Sequence, residues 1–199
     1  MSQLSLLAFP PCADWVEELR DRGVVSFPIL NDATRASLAT EAKSYQYIDQ
    51  PTLVGQYHVR QRFASCIEFS EDSQFPKLKL AFETAVINQF AELDESPISE
   101  TLNFNEMVLQ RYTPGRLGIS PHRDQKRCRN LIAAFTLVGR AKFCVCDDRH
   151  GNNSREINSE PGSVIILRAG GFAGQDVRPF HFISDIREQR ISFALRQFG

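Results

Sequence analysis

The stretch Leu131-Ile132-Ala133-Ala134-Phe135-Thr136-Leu137-Val138, then Gly139-Arg140, then Ala141-Lys142-Phe143-Cys144-Val145-Cys146-Asp147, decides the class of this chain. Two apolar runs rich in β-branched and aromatic residues flank a dipeptide that suits a tight hairpin. Working outward, similar short runs recur at Met107–Tyr112, Ile119–Arg123, Ser163–Leu167, Pro179–Ile183 and Arg190–Phe198, separated by Gly, Pro, Asn and Asp. Asp148 to Asn153 is a polar loop. Many short strands at this spacing predict a β core of jelly-roll type.

Upstream the pattern changes. Asp14 to Arg22 reads as a short helix closed by Gly23, Val24 to Ile29 as a strand, and Asn31 or Asp32 caps a helix running to about Tyr45. Phe75 to Leu93 is a longer helix, with Leu78, Phe82, Ala85, Val86, Phe90 and Leu93 forming an apolar stripe that packs on a sheet. The fold class is therefore α+β. The 199 residues fit one domain: 1–105 supply the helices and a substrate-side extension, and 106–199 the jelly-roll core.

Bulk properties exclude some roles. A net charge of −1 gives no global field for nucleic acid. No apolar run reaches membrane-spanning length, and the first 15 residues lack the basic start and apolar stretch of an export signal, so a cytoplasmic protein with reduced thiols is expected. Cys144 and Cys146 share a strand face, but no second close pair completes a thiolate metal site, and they read as small core residues.

His122 and Asp124 lie two apart, so on a strand an imidazole and a carboxylate project from one face. His181, 57 residues beyond Asp124, can be returned to the same barrel mouth by the intervening strands. Two histidines and one carboxylate on one side of a metal, with positions left open, are the ligand set of non-heme Fe(II) oxygenases. The alternative for His122 and Asp124 alone is a surface pair. Iron of this kind needs an electron source, commonly 2-oxoglutarate, whose far carboxylate needs a fixed cation. Arg190, Ser192 and Arg196 share one face of the last strand by even spacing. Two arginines and a hydroxyl aimed into a barrel make a poor core unless an anion lies between them.

Several segments together resemble the AlkB family of Fe(II)/2-oxoglutarate dioxygenases. They are Gln110-Arg111-Tyr112-Thr113-Pro114-Gly115, Ile119-Ser120-Pro121-His122-Arg123-Asp124, Glu160-Pro161-Gly162-Ser163-Val164-Ile165-Ile166 and Arg190-Ile191-Ser192-Phe193-Ala194-Leu195-Arg196. The likeness covers about the last 95 residues well and the first half only loosely. It implies a double-stranded β-helix with His122, Asp124 and His181 as iron ligands. It also implies Arg190 on the distal carboxylate of 2-oxoglutarate with Ser192 assisting, and Tyr112, Arg196 and Gln110 contacting the cosubstrate. The implied activity is hydroxylation of a C–H bond by O2 with release of succinate and CO2; on an N-linked carbon the outcome is demethylation of an alkylated nucleobase.

Some residues depart from that pattern. Lys126 stands where nucleic-acid demethylases of the family often carry a second acid, the segment from His181 to Arg190 is short, and Trp15 lies too early for a base-stacking lid. Tyr45, Tyr47 and Tyr57 could stack on a base, but an ordinary core or surface role is favoured for each. Between Met107 and Asn130 six basic residues (Arg111, Arg116, Arg123, Lys126, Arg127, Arg129) face one acid, Asp124, a rim that could hold phosphates, grip a carboxylate or simply be solvated. Hydroxylation of a small metabolite or amino-acid derivative is thus the alternative. A non-enzymatic jelly-roll module that binds a ligand is the third reading. His58 and His150 read as packed or solvated histidines, Gly170-Gly171 as a turn, and Arg123 as pointing away from its two neighbours.

Overall fold

The computed structural model describes residues 7–199. The reading of the N-terminus as free of an export signal rests partly on residues 1–6, which lie outside those described. Three helices, α1 (Cys12–Arg22), α2 (Asp32–Ser44) and α3 (Gln74–Ala91), precede most of the sheet. The strands are β1 (Val24–Pro28), β2 (Ile48–Asp49), β3 (Leu53–Val54), β4 (Val59–Arg60), β5 (Ala64–Cys66), β6 (Glu106–Tyr112), β7 (Gly115–His122), β8 (Cys128–Val138), β9 (Lys142–Cys146), β10 (Arg155–Ile157), β11 (Ser163–Arg168), β12 (Phe180–Ile186) and β13 (Arg190–Phe198). Among the described residues no helix is long and apolar enough to cross a membrane.

Two antiparallel sheets face each other. One has seven strands in the order β1-β11-β8-β13-β6-β5-β2, the other four in the order β10-β9-β12-β7. The expected α+β jelly-roll architecture, with helices against one sheet, is what the chain adopts. Strand parity explains how one sheet serves two layers. On β13 the odd positions Ile191, Phe193 and Leu195 pack with Phe75, Phe82 and Trp15 of the helices in one core. The even positions Arg190, Ser192, Ala194 and Arg196 line a cavity between the sheets. β8 divides in the same way, with Leu131, Ala133, Phe135 and Leu137 toward the helices and Ile132 and Ala134 toward the cavity. β8, apolar on both faces from Leu131 to Phe135, reads as a continuous apolar run, whereas β13 alternates apolar with polar residues.

The helices start where capping chemistry permits. The Asn31 side chain accepts from the Thr34 amide at 2.8 Å, and Ser73 accepts from the Phe75 amide at 3.1 Å. α1 begins two residues earlier than expected, directly after Pro11. Glu41 of α2 ties the layer together, accepting from Ser73 Oγ at 2.7 Å and Gln74 Nε2 at 2.9 Å.

Gly139-Arg140 does not close a hairpin. β8 pairs with β11 and β13, whereas β9 pairs with β10 and β12, so this dipeptide carries the chain from one sheet to the other. Gly139 has φ +73°, and a Cβ built there would lie 2.2 Å from the Gln189 carbonyl oxygen. β10 is short and polar and gave no apolar signal. Cys144 is buried as expected, whereas Cys146 is half-buried, its Sγ donating to the Asp148 carbonyl at 3.3 Å. Pro121 falls within β7, which is the edge of its sheet and can spare an amide.

Candidate active site

β7 and β12 are paired so that His122 and His181 stand directly opposite, with ring centroids 4.3 Å apart. Asp124 follows two residues after His122, just beyond the end of β7. The ligand atoms of His122, Asp124 and His181 all lie within 4.8 Å of one another, and His181 Nε2 is 3.3 Å from Asp124 Oδ2. The sequence-predicted triad is therefore gathered at one place.

Backbone carbonyls fix the orientation of both rings. His122 Nδ1 donates to the Ser120 carbonyl at 2.9 Å, and His181 Nδ1 to the Pro179 carbonyl at 3.3 Å, which leaves each Nε2 as the donor atom for a cation. The Phe143 ring stacks on His181 at 5.5 Å. Burial first, then the adjacent His181, pushes His122 down to about 4, so its imidazole is neutral, the ligating form, across the physiological range. Burial alone would raise Asp124, but Arg196 and the two imidazoles outweigh it and hold the carboxyl down to about 2.

Arg190 lies deeper in the same cavity and is 1% exposed. Its Nη1 donates to Ser192 Oγ at 3.1 Å and its Nη2 to Thr136 Oγ1 at 3.0 Å. Its Nε is buried without a hydrogen-bond partner, and among the described residues no carboxylate lies within ion-pair reach of this guanidinium. A buried, unneutralised guanidinium is costly, and a carboxylate accepting its fork would repay that cost. Tyr112 stands opposite Arg190 in the β6–β13 register and Gln110 opposite Ser192, and both side chains line the cavity. Burial pushes the Tyr112 phenol up to about 12, so it remains a hydrogen-bond donor at neutral pH.

Arg196 has other partners than the expected cosubstrate. Its Nη1 donates to Glu106 at 2.7 Å and its Nε to Asp124 Oδ1 at 3.3 Å, which spends its charge on carboxylates of the protein. The cation expected to meet 2-oxoglutarate thus braces a metal-ligand candidate. Glu106 and Thr136 were missed from sequence. Both share parity with residues that were found, Glu106 with Gln110 and Tyr112, and Thr136 as the lone hydroxyl within an apolar run.

The cavity measures about 860 Å³. Its outer wall comes from the short strands and turns between Gln50 and Ile67, including Tyr57 and Phe63. Arg149 lies 3.6 Å over the Tyr57 ring, Arg123 lies 4.1 Å over Phe180, and Lys126 and Arg178 complete a basic mouth. Tyr45 and Tyr47 pack beside the helical core, and His58 and His150 are exposed outside the cavity lining.

No protein-family model matches the chain, and no curated protein is significantly similar to it in sequence. Solved structures are similar in fold. A Pseudomonas putida prolyl-4-hydroxylase superposes with a TM-score of 0.67 at 13% identity, covering 96% of this chain and 100% of that one. A prolyl hydroxylase from Trichoplax adhaerens, solved with a hypoxia-inducible-factor peptide fragment, gives 0.66 at 11% identity over 94% and 88% of the two chains. OsALKBH1 gives 0.61 at 13% identity over 88% and 98%. The chain thus has the double-stranded β-helix fold seen in 2-oxoglutarate/Fe(II) oxygenases.

Proposed function

We propose that this chain is an Fe(II)- and 2-oxoglutarate-dependent dioxygenase, a single cytoplasmic domain of AlkB-like type. The observation that carries the reading is Arg190: a buried guanidinium with an unpartnered Nε, in the same cavity as two imidazoles and a carboxylate within 4.8 Å of one another. The residues fit both groups. Nitrogen and oxygen donors on one side of the metal leave positions open, and the Arg190 fork suits the far carboxylate of a keto diacid.

Ferrous iron and 2-oxoglutarate, when bound, supply the oxidising chemistry: O2 and 2-oxoglutarate become succinate and CO2 while a substrate C–H becomes C–OH. His122, Asp124 and His181 hold the metal, with Ser120 and Pro179 fixing the ring tautomers. Ser192 and Thr136 aim the Arg190 fork, while Tyr112 and Gln110 offer hydrogen bonds to the cosubstrate. Phe143 and Ile183 add apolar surface to the cavity wall.

For the substrate, the leading reading is an alkylated nucleobase, which loses its alkyl group once the N-linked carbon is hydroxylated. Tyr57 and Phe63 in the outer wall offer surfaces for a flat ring, and the arginine-lined mouth suits phosphate. A small metabolite is the second reading. It is favoured by Lys126, which leaves no second acid beside Asp124 to read a base edge. Succinate release with Fe(II), ascorbate and 2-oxoglutarate, screened against alkylated nucleosides, nucleotides, oligonucleotides and small metabolites, separates these readings. Release that depends on one class and vanishes in His122→Ala is expected. No release with any class would leave only a ligand-binding jelly roll.

A further inference from the structure

A second cavity of about 630 Å³ adjoins the first, between β9, the segment Val177–Phe180 and the end of α1. Arg22, Arg123, Arg155, Arg168 and Arg178 line it against a single acid, Asp147, whose Oδ2 already accepts from Asn153 at 2.8 Å. Arg123 and Arg178 line both cavities, so the groove opens directly onto the mouth of the candidate active site.

Among the described residues, Arg123, Arg155, Arg168 and Arg178 have no carboxylate within 4.0 Å; Arg22 pairs with Glu18. Arg168 is only 7% exposed. Its Nε donates to the Val177 carbonyl at 2.9 Å and its Nη1 to the Arg20 carbonyl, which leaves Nη2 without a hydrogen-bond partner among the described residues. Like charges gathered around one groove with a single acid among them repel one another, and an anion seated there lowers that cost.

We propose that this groove binds the phosphate groups of a compact substrate whose other end enters the iron cavity. Resting on the oxygenase reading, this places an arginine cradle for phosphate beside the reacting carbon. Guanidinium forks match phosphate oxygens two at a time, and Arg168, largely buried in the groove lining, adds a fixed positive charge beside them. The chain carries a net charge of −1 despite these five arginines, so its basic groups are concentrated at this groove and the adjoining mouth and not spread over the whole surface. At about 630 Å³ the groove holds a compact phosphate ester, with the iron cavity beside it for the other end of the same molecule.

The test is calorimetric binding of inorganic pyrophosphate to the metal-free full chain, which requires neither iron nor turnover. Arg155→Gln and Arg178→Gln are each expected to weaken binding about tenfold, one charge-assisted contact being lost, while Arg116→Gln outside the groove leaves it unchanged. Arg168→Lys, checked for folding by circular dichroism, should weaken it as well. Unchanged affinity in the Arg155 and Arg178 variants, or full displacement by 2-oxoglutarate, would overturn the site. Tighter binding of a single-stranded oligonucleotide than of pyrophosphate, falling steeply with salt, would overturn the compact ligand in favour of a strand. Pyrophosphate binding without succinate release from any substrate would retain the groove and remove the oxygenase. For any accepted substrate, Arg155→Gln should raise KM for the phosphorylated form and not for its dephosphorylated counterpart.

Discussion

Arg196 bridges Glu106 and Asp124, its Nη1 2.7 Å from one carboxylate and its Nε 3.3 Å from the other. Glu106 thereby reaches the proposed metal centre through a single guanidinium. Glu106→Gln should keep the fold but lower Mn(II) or Co(II) affinity by about tenfold, the scale on which partners of metal ligands act. Titration followed by calorimetry measures this. Affinity equal to wild type would show that Asp124 is oriented without the brace.

Arg190 and Thr136 give a graded prediction. Arg190→Lys should raise the apparent KM for 2-oxoglutarate strongly, because an ammonium cannot reproduce the two-pronged contact. Thr136→Val removes only one hydrogen bond to that guanidinium, and should raise KM by a few-fold and cost about 1–2 kcal/mol of stability. Initial rates against 2-oxoglutarate decide it, and an unchanged KM in Arg190→Lys would refute the assignment.

Stability toward acid should depend on Glu41. Burial opposes ionisation of Glu41, but bonds from Ser73 and Gln74 prevail and hold its carboxyl below the usual value of 4.5. A lowered folded value means that the unfolded chain takes up the proton first. The stabilisation is therefore complete above pH 4.5 and is lost as pH falls through the folded value. Glu41→Gln should cost about 1 kcal/mol at pH 7 and less at pH 3.5, read from urea midpoints. Asp124, held down to about 2, contributes its own slope in this range, so the variant flattens the profile only in part. An identical profile in wild type and variant would contradict the link between α2 and α3.

Gly139 and Gly55 form a matched pair. Both have positive φ, +73° and +67°, but a Cβ at Gly139 meets the Gln189 carbonyl oxygen at 2.2 Å, whereas nothing lies within 4 Å of one at Gly55. Gly55→Ala should cost about 1 kcal/mol, the left-handed penalty alone, and Gly139→Ala at least twice that. Equal urea midpoints for the two would mean that the sheet crossover yields easily.

The jelly-roll core was legible because its strands are bounded by Gly, Pro and Asn, because β8 and β11 carry apolar runs, and because β13 alternates apolar with polar residues. The triad was legible because the His-x-Asp spacing and a distant histidine survive as pattern. Three things were not legible. The role of Gly139-Arg140 depends on which strands β8 and β9 pair with, a non-local fact that a turn dipeptide does not encode. The partners of Arg196 depended on Glu106, opposite it in the β6–β13 register, and register cannot be read from one strand alone. The outer wall from Gln50 to Ile67 consists of strands of two or three residues, too short for periodicity to mark.

β13 joins two parts of the molecule that are often separate. Phe193 meets Phe75 of α3 at 4.7 Å between ring centroids, while Ser192, one residue earlier, supports the Arg190 fork from the opposite face. The proposed cosubstrate seat is thereby geared to the hydrophobic bulk of the protein. Loosening α3, however far from iron, should reach the keto-acid seat before the imidazoles, whose strands belong to the other sheet. Wear in the scaffold would then surface first as poorer appetite for 2-oxoglutarate, with metal loading still intact.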